Sequence, residues 1–355
     1  FTKIPGMSDG FYLAWAFVTY IVWGTLYSTV NIPYGSMASV MTADPVERTT
    51  LSTWRNMGAA LAGMAINVLG PMIVFVDNKI NADRMFMTAC IFGVLAIACY
   101  MGCYKLSTER IAVPEKEVEK GAFLRSVKSL LTNKPFLWVL AASLLAMTNQ
   151  FIVQAVNTYL FKDYFANAGA LSIIGLVQTL SMFLIVPFVK PLVAKFGKKE
   201  ISVVGMTIAS IIYIVMFFLK FTTTTPFIVL AALGYMAMCL YNIVTWAFIT
   251  DVIDYHEYLT SMREDATVYS IISMSRKVGQ AVAGGIGGVA IAAVGYDATV
   301  GTQSQDVLDG IYMLGTLVPG IFYAIIAVVL FMYPLSKQKT IQLGKDLAAR
   351  RNANQ

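Results

Sequence analysis

MFMTACIFGVLAIACYMGCY, residues Met85–Tyr104, runs for twenty residues without a charged side chain. At about 1.5 Å of rise per residue, such a helix spans the roughly 30 Å hydrocarbon core of a bilayer. Similar windows run Phe11–Met41, Trp54–Val76, Phe136–Phe161, Leu171–Val189, Ile201–Phe218, Pro226–Ile249, Tyr269–Val294 and Ile311–Tyr333, nine in all. The 355 residues are 57% hydrophobic and 13% charged, with mean hydropathy +0.68. A soluble domain carries about 25% charged residues because its outside faces water. Half that fraction calls for hydrocarbon as the outer solvent and predicts an all-α transmembrane bundle, excluding disorder and a single large soluble core.

The formal net charge of +6 is read through its placement. Lysine and arginine collect in 44–48, 105–134, 190–199, 254–263 and from Lys337 onward, and are sparse in the alternate connectors. By the positive-inside rule this is an orientation signal, with no nucleic-acid partner implied; the C-terminus falls in the cytoplasm and Phe1 outside. Cys90, Cys99, Cys103 and Cys239 lie in or beside apolar runs without paired spacing, so neither a disulfide framework nor a metal site is expected.

The long polar connector divides the chain. Residues 1–104 read as three helices remaining from an N-terminal bundle, 105–135 as a cytoplasmic central loop, 136–335 as a C-terminal six-helix bundle and 336–355 as a cytoplasmic tail. Secondary transporters are built from two such halves of six helices. The chain therefore reads as nine of twelve expected helices, with the first three absent.

Polar groups inside hydrocarbon are costly and mark a hydrated passage, an interhelical contact or a snorkelling interface anchor. Lys277 enters the span that begins at Tyr269, and both a cavity and the interface suit it. Arg55 opens the second window as an interfacial anchor or a cavity cation. Tyr20, Trp23, Tyr27 and Asn31 form one stripe at helical spacing, able to stack on a sugar ring and bond its rim, or to anchor at the interface. Asn149, Gln150, Gln154 and Asn157 make a second polar strip, suited to lining or to interhelical amide contacts. Asn242 and Trp246 precede Asp251, Asp254 and Glu257. Those carboxylates are placed to pair with Arg263, Lys195 or Lys198 as a cytoplasmic latch, or to form a solvated helix end. The glycine-rich runs 58–63 and 283–288 are expected to let helices approach closely.

No Walker loop, zinc-protease motif or nucleophile elbow is present, so the reading is a transporter and not an enzyme, driven by an ion gradient where movement is uphill.

Residues 27–35 (YSTVNIPYG), 44–48 (DPVER), Trp54-Arg55, 251–258 (DVIDYHEY), Tyr269-Ser270 and Lys277-Val278-Gly279 resemble the glycoside-pentoside-hexuronide:cation symporters, the group that contains melibiose permease. The likeness covers essentially the whole chain. It implies the major facilitator fold with alternating access, the chain matching the family's fourth to twelfth helices. It makes Lys277 the functional lysine near the sugar and cation sites, Arg55 the cavity arginine and Tyr27 an aromatic of the binding region. Asn31 falls where melibiose permease has a carboxylate, which argues against galactoside specificity; Asn242 falls where it has an aromatic and Gly35 where it has a tryptophan, which implies a differently shaped, roomier site. The family's cation-binding carboxylates lie on helices outside this chain, so sodium and proton both remain open.

The expectation is cation-coupled symport of a sugar, glycoside, pentoside or hexuronide, with no cofactor beyond Na+ or H+. The setting is the cell inner membrane among its lipids, and the working unit a monomer. A passive sugar facilitator and a non-transporting solute receptor are the alternatives.

Overall fold

The computed structural model describes residues 6–41, 45–76, 79–108, 128–260 and 265–353. They fall into two compact units, Phe1–Glu117 and Val118–Gln355. The first holds α1 (Asp9–Met41), α2 (Pro45–Val74) and α3 (Ala82–Leu106). The second holds α4 (Lys134–Tyr159), α5 (Ala170–Phe196), α6 (Lys198–Leu219), α7 (Thr224–Thr260), α8 (Asp265–Ala293), α9 (Gln305–Gly315), α10 (Leu317–Met332) and α11 (Lys337–Ala353). Each apolar window of the sequence falls mainly on one of these helices, Trp54–Val76 running on into a short strand, and the last falls on α9 and α10 together. Among the described residues, seven segments are long and apolar enough to cross a membrane. The helices α2 and α8 fall outside that set; α8 carries Arg276, Lys277 and Gln280 within its apolar stretch.

In the first unit, α2 and α3 are joined through a two-residue antiparallel ladder in which Phe75 faces Ile80 and Val76 faces Lys79. Asn81 then starts α3, its side chain accepting from the Arg84 N–H at 3.1 Å, which satisfies one of the free donors of a helix start. No residue of α3 is buried. Its surface of Phe86, Ile91, Val94 and Ile97 is that of a helix whose surrounding solvent is hydrocarbon.

The second unit has a packed interior in two parts. Phe136, Tyr241, Phe248 and Tyr333 centre one cluster, and Leu160, Phe161, Phe227 and Tyr312 the other. Phe248 and Tyr333 meet edge to face at 5.1 Å, the arrangement that sets a positive ring edge on a negative face. The predicted span Ile311–Tyr333 is broken at Thr316 (φ −127, ψ −68). Pro319 follows in the first turn of α10 and has no N–H to return to Gly315, so the helix restarts there. Thr316 itself hydrogen-bonds the Tyr312 carbonyl at 2.6 Å.

Small residues set the helix spacing, as they do where lipid offers no water to expel. A Cβ at Gly320 would lie 2.8 Å from Ile214 Cγ1, and the Ser210 hydroxyl donates to the Gly320 carbonyl at 2.8 Å, joining α6 to α10. Gly279 does the same for α4 and α8. A Cβ there would lie 2.9 Å from the Leu144 oxygen. The expected close approach through 283–288 holds for Ala283, which is buried, and for Gly287, which meets Ala155; Gly284, Gly285 and Gly288 have no described atom within reach of a Cβ. Gly58 and Gly63 are likewise open among the described residues. The packing face therefore follows the four-residue period and not the glycine pairs.

At the C-terminal end of this helix pair, α4 continues into a π-turn over Leu160–Tyr164. Tyr296, beyond α8, donates to Asp163 at 3.2 Å and packs edge to face on Tyr159 at 4.9 Å. Burial, reinforced by the Asp163 charge, pushes the Tyr296 phenol up, so it stays a donor. Thus α8 is fixed against α4 at its middle and just beyond its C-terminal end.

Candidate functional site

Once α8 is held in that way, its remaining surface is determined. Val268, Ile272, Ser275, Gly279, Ala283, Gly287 and Ile291 are buried, each three or four positions after the last. Met274, Val278 and Val282 form an exposed apolar stripe suited to hydrocarbon. Between these faces runs a third set, Ser270, Ser273, Lys277, Gln280, Gly284 and Gly288, all exposed and again three or four apart. A helix only in contact with protein and lipid has no use for a third face lined by hydroxyls, an amide and an ammonium. Lys277 stands in the middle of it. Arg276, one residue earlier, is turned about 100° away; it is half-buried and within charge reach of Tyr241 on α7.

Gln280 on this stripe reaches Met147 of α4 at 4.0 Å, and α4 continues the polar surface with Gln150 and Gln154, both exposed. Asn149, which the sequence placed among the lining residues, is 1% exposed and lies in the core beside Tyr323 of α10. A single residue step separates the two environments, and the strip read from 149 to 157 is therefore two features. Nothing in spacing alone told Asn149 from Gln150.

In the first unit the aromatic stripe of α1 is a ladder of rings. Tyr20 and Trp23 are 5.9 Å apart, and Trp23 stacks on Tyr27 at 5.6 Å with 20° between planes. All three are exposed. Asn31, Arg55 and Trp246 lie on α1, α2 and α7, with their side chains outside the described residues, as is all of Arg263. Asn242 is half-buried on α7.

The acidic end of α7 divides as well. Asp251 is buried and paired with Lys198 at the start of α6 at 2.5 Å. Lys198 also donates to the Ala247 carbonyl at 3.2 Å. This pair ties α6 to α7 inside one unit. Asp254 and Glu257, further along, are half-buried and engaged in interactions of their own. The end of α7 has a partner that sequence reasoning missed. Arg350 of α11 donates to the Tyr258 carbonyl at 2.9 Å and lies 4.3 Å over the Tyr258 ring. Leu343 and Leu347 of α11 are buried; their four-residue spacing within a basic stretch was the available signal of a docked helix.

The sequence profile of a family described as MFS/sugar transport protein matches residues 1–337. The chain belongs to this family. Among its relatives in the family is the uncharacterized symporter YjmB of Bacillus subtilis, 32% identical over 97% of this chain and 74% of the relative. The glucuronide carrier protein homolog of Escherichia coli is 27% identical over 100% and 77%. The isoprimeverose transporter of Lactiplantibacillus pentosus is 28% identical over 94% and 70%. This MFS/sugar transport protein is a multi-pass membrane transporter and not an enzyme, and the fold expected from the sequence is the family's fold.

Proposed function

We propose that this chain carries out cation-coupled symport of a sugar or sugar acid by alternating access. The observation that carries the reading is the third face of α8, where Lys277 stands among Ser270, Ser273 and Gln280 on a surface that neither the packed interior nor lipid would select. A fixed ammonium among neutral donors and acceptors suits a polyhydroxylated solute bearing a carboxylate or other anionic group, and the glucuronide carrier homolog is a relative whose name specifies such a solute. The isoprimeverose transporter supports a neutral glycoside as the second reading.

The proposed binding residues are Lys277, Tyr27, Asn31, Arg55, Asn242 and Trp246, with Gln150 and Gln154 extending the polar surface on α4. Asp254, Glu257 and Arg263 are the proposed gating groups at the end of α7. The division into bundles at 1–104 and 136–335, joined by 105–135 and followed by 336–355, is proposed on the charge of the connectors. The same charge supports an inner-membrane location with the C-terminus in the cytoplasm. The working unit is proposed to be the monomer.

The coupling ion is Na+ or H+. Either would neutralise carboxylates whose burial on closure is otherwise unfavourable, so ion and solute should each tighten the other by about 1–3 kcal/mol. The test is uptake of radiolabelled glucuronide, xyloside and glucoside into cells producing the protein, with a sodium gradient or a pH gradient imposed separately. Accumulation above the external concentration under one gradient supports symport. Equilibration that ignores both gradients would indicate the passive facilitator, and binding without counterflow the receptor.

A further inference from the structure

The end of the second unit where α5, α6, α10 and α11 meet carries a lysine cluster outside the proposed binding and gating residues. Lys337 opens α11 and donates to the carbonyls of Ala194 at 2.6 Å and Lys195 at 3.1 Å, capping the end of α5. Lys199 donates to the Tyr333 carbonyl at 2.6 Å and lies 5.7 Å over the Phe331 ring. Lys195 lies 5.1 Å over the Phe196 ring. Lys339 is exposed and within charge reach of Lys199, and Glu200 is the carboxylate that faces Lys199 at this place. Lys198 is already committed to Asp251. The cluster therefore carries an excess of positive charge.

Phe196 ends α5, and Phe331 stands one residue before the end of α10; they are 50% and 70% exposed. Both helices belong to segments apolar and long enough to cross a membrane, and the ends of such helices meet the lipid headgroups. Below them runs the antiparallel seam of α6 and α10, closed by the Ser210–Gly320 hydrogen bond. Its flanks are exposed and apolar, Val204, Ile208 and Ile211 on α6 and Ile325, Val328 and Phe331 on α10.

We propose that this seam holds one anionic phospholipid, its phosphate against Lys199 and Lys339 and its acyl chains along α6 and α10. The apolar wall suits any acyl chain, and the excess of lysines over carboxylates at its end selects the headgroup. A second protein copy would have to place carboxylates over these lysines and would not need a wall continuous with the bilayer.

The protein, purified in detergent, is titrated with phosphatidylglycerol or with phosphatidylcholine of the same acyl chains. Retained lipid is counted by native mass spectrometry, and thermal unfolding is followed in parallel. Phosphatidylglycerol is expected to be retained in preference and to raise the unfolding temperature. Lys339→Gln should weaken that retention about fivefold, the factor set by one lysine at a charged surface. Lys199→Gln combined with Lys339→Gln should weaken it further, and Lys345→Gln, elsewhere on α11, should leave it unchanged. Equal retention of the two lipids overturns the proposal, as does a Lys339→Gln protein that binds like the parent. So does inorganic phosphate alone reproducing the thermal shift, or a dimer that excludes lipid from the seam. Should the double variant fail to fold, Lys339→Gln alone decides, because its side chain is exposed.

Discussion

Gly279 brings α8 so close to α4 that a Cβ at this position would lie 2.9 Å from the Leu144 carbonyl oxygen and 3.1 Å from Met147 Cβ. Lys277 stands two residues away on the exposed polar face. The position of the ammonium is thus set by the absence of a side chain at its neighbour. Backbone cannot yield as a flexible side chain does, so overpacking here should cost about 1–3 kcal/mol. Gly279→Ala is expected to lower the unfolding temperature in detergent, and Gly279→Val to lower it further with loss of uptake. Parent-like stability in both would show that α8 is not held by this contact.

Lys277→Ala should abolish concentrative uptake while the protein is still produced and inserted, because the residue lies on an exposed face and packs no core. Lys277→Arg keeps the charge with a different fork of donors and should retain solute binding with slowed accumulation. Uptake against a gradient by Lys277→Ala at the parent rate would remove it from the transport site.

The acidic end of α7 predicts two phenotypes. Asp251 is paired inside the unit, and Asp251→Ala would leave Lys198 uncompensated, at a cost of about 3–5 kcal/mol. Adding Lys198→Met should restore most of that stability, as read by thermal unfolding. Asp254→Ala and Glu257→Ala should instead slow turnover with little change in solute affinity. A pure affinity defect in either would reject the gating role.

Lys220, which follows α6 in a left-handed conformation (φ 41), donates to Asp309 at 2.7 Å. That hydrogen bond, followed by the charge of Asp309, raises the Lys220 ammonium above its ordinary 10.5. A group whose pKa is raised on folding contributes stability that is complete below its unfolded value and lost as pH rises through the folded one. The unfolding temperature of the parent should therefore fall more steeply than that of Lys220→Gln as pH is taken upward through 10.5. The exposure of the pair keeps the effect small and salt-sensitive. Parallel curves for the two proteins would show that the pair adds nothing.

Much of the molecule is legible in its residues. Met85–Tyr104 and its companions are recognisable because a bilayer demands long uncharged helices, and the motifs at 27–35 and 251–258 carry the family. Even the ring ladder of α1 follows from spacing, since Tyr20, Trp23 and Tyr27 must share a side of any helix. The break at Thr316 was missed although Pro319 announced it, because the apolar run continues across it without interruption. The docking of α11 was missed because its basic character resembles a solvated tail, while two leucines and Arg350 hold it to the bundle.

The residues alone determined that this is a bundle of membrane helices, a sugar transporter by family, with costly polar groups inside it. Tertiary structure decided which of those groups face outward. Asn149 is buried and Gln150 exposed, Arg276 is half-buried and Lys277 exposed, and Gly279 packs where Gly284 does not. The physical reason is that consecutive residues of a helix point about 100° apart, so the sense of every side chain depends on how the helix is rotated. In water that rotation is betrayed by an apolar face turned inward. In hydrocarbon both faces are apolar, and close contacts with the neighbouring helix, such as Gly279 on Leu144 and Gly287 on Ala155, fix the turn.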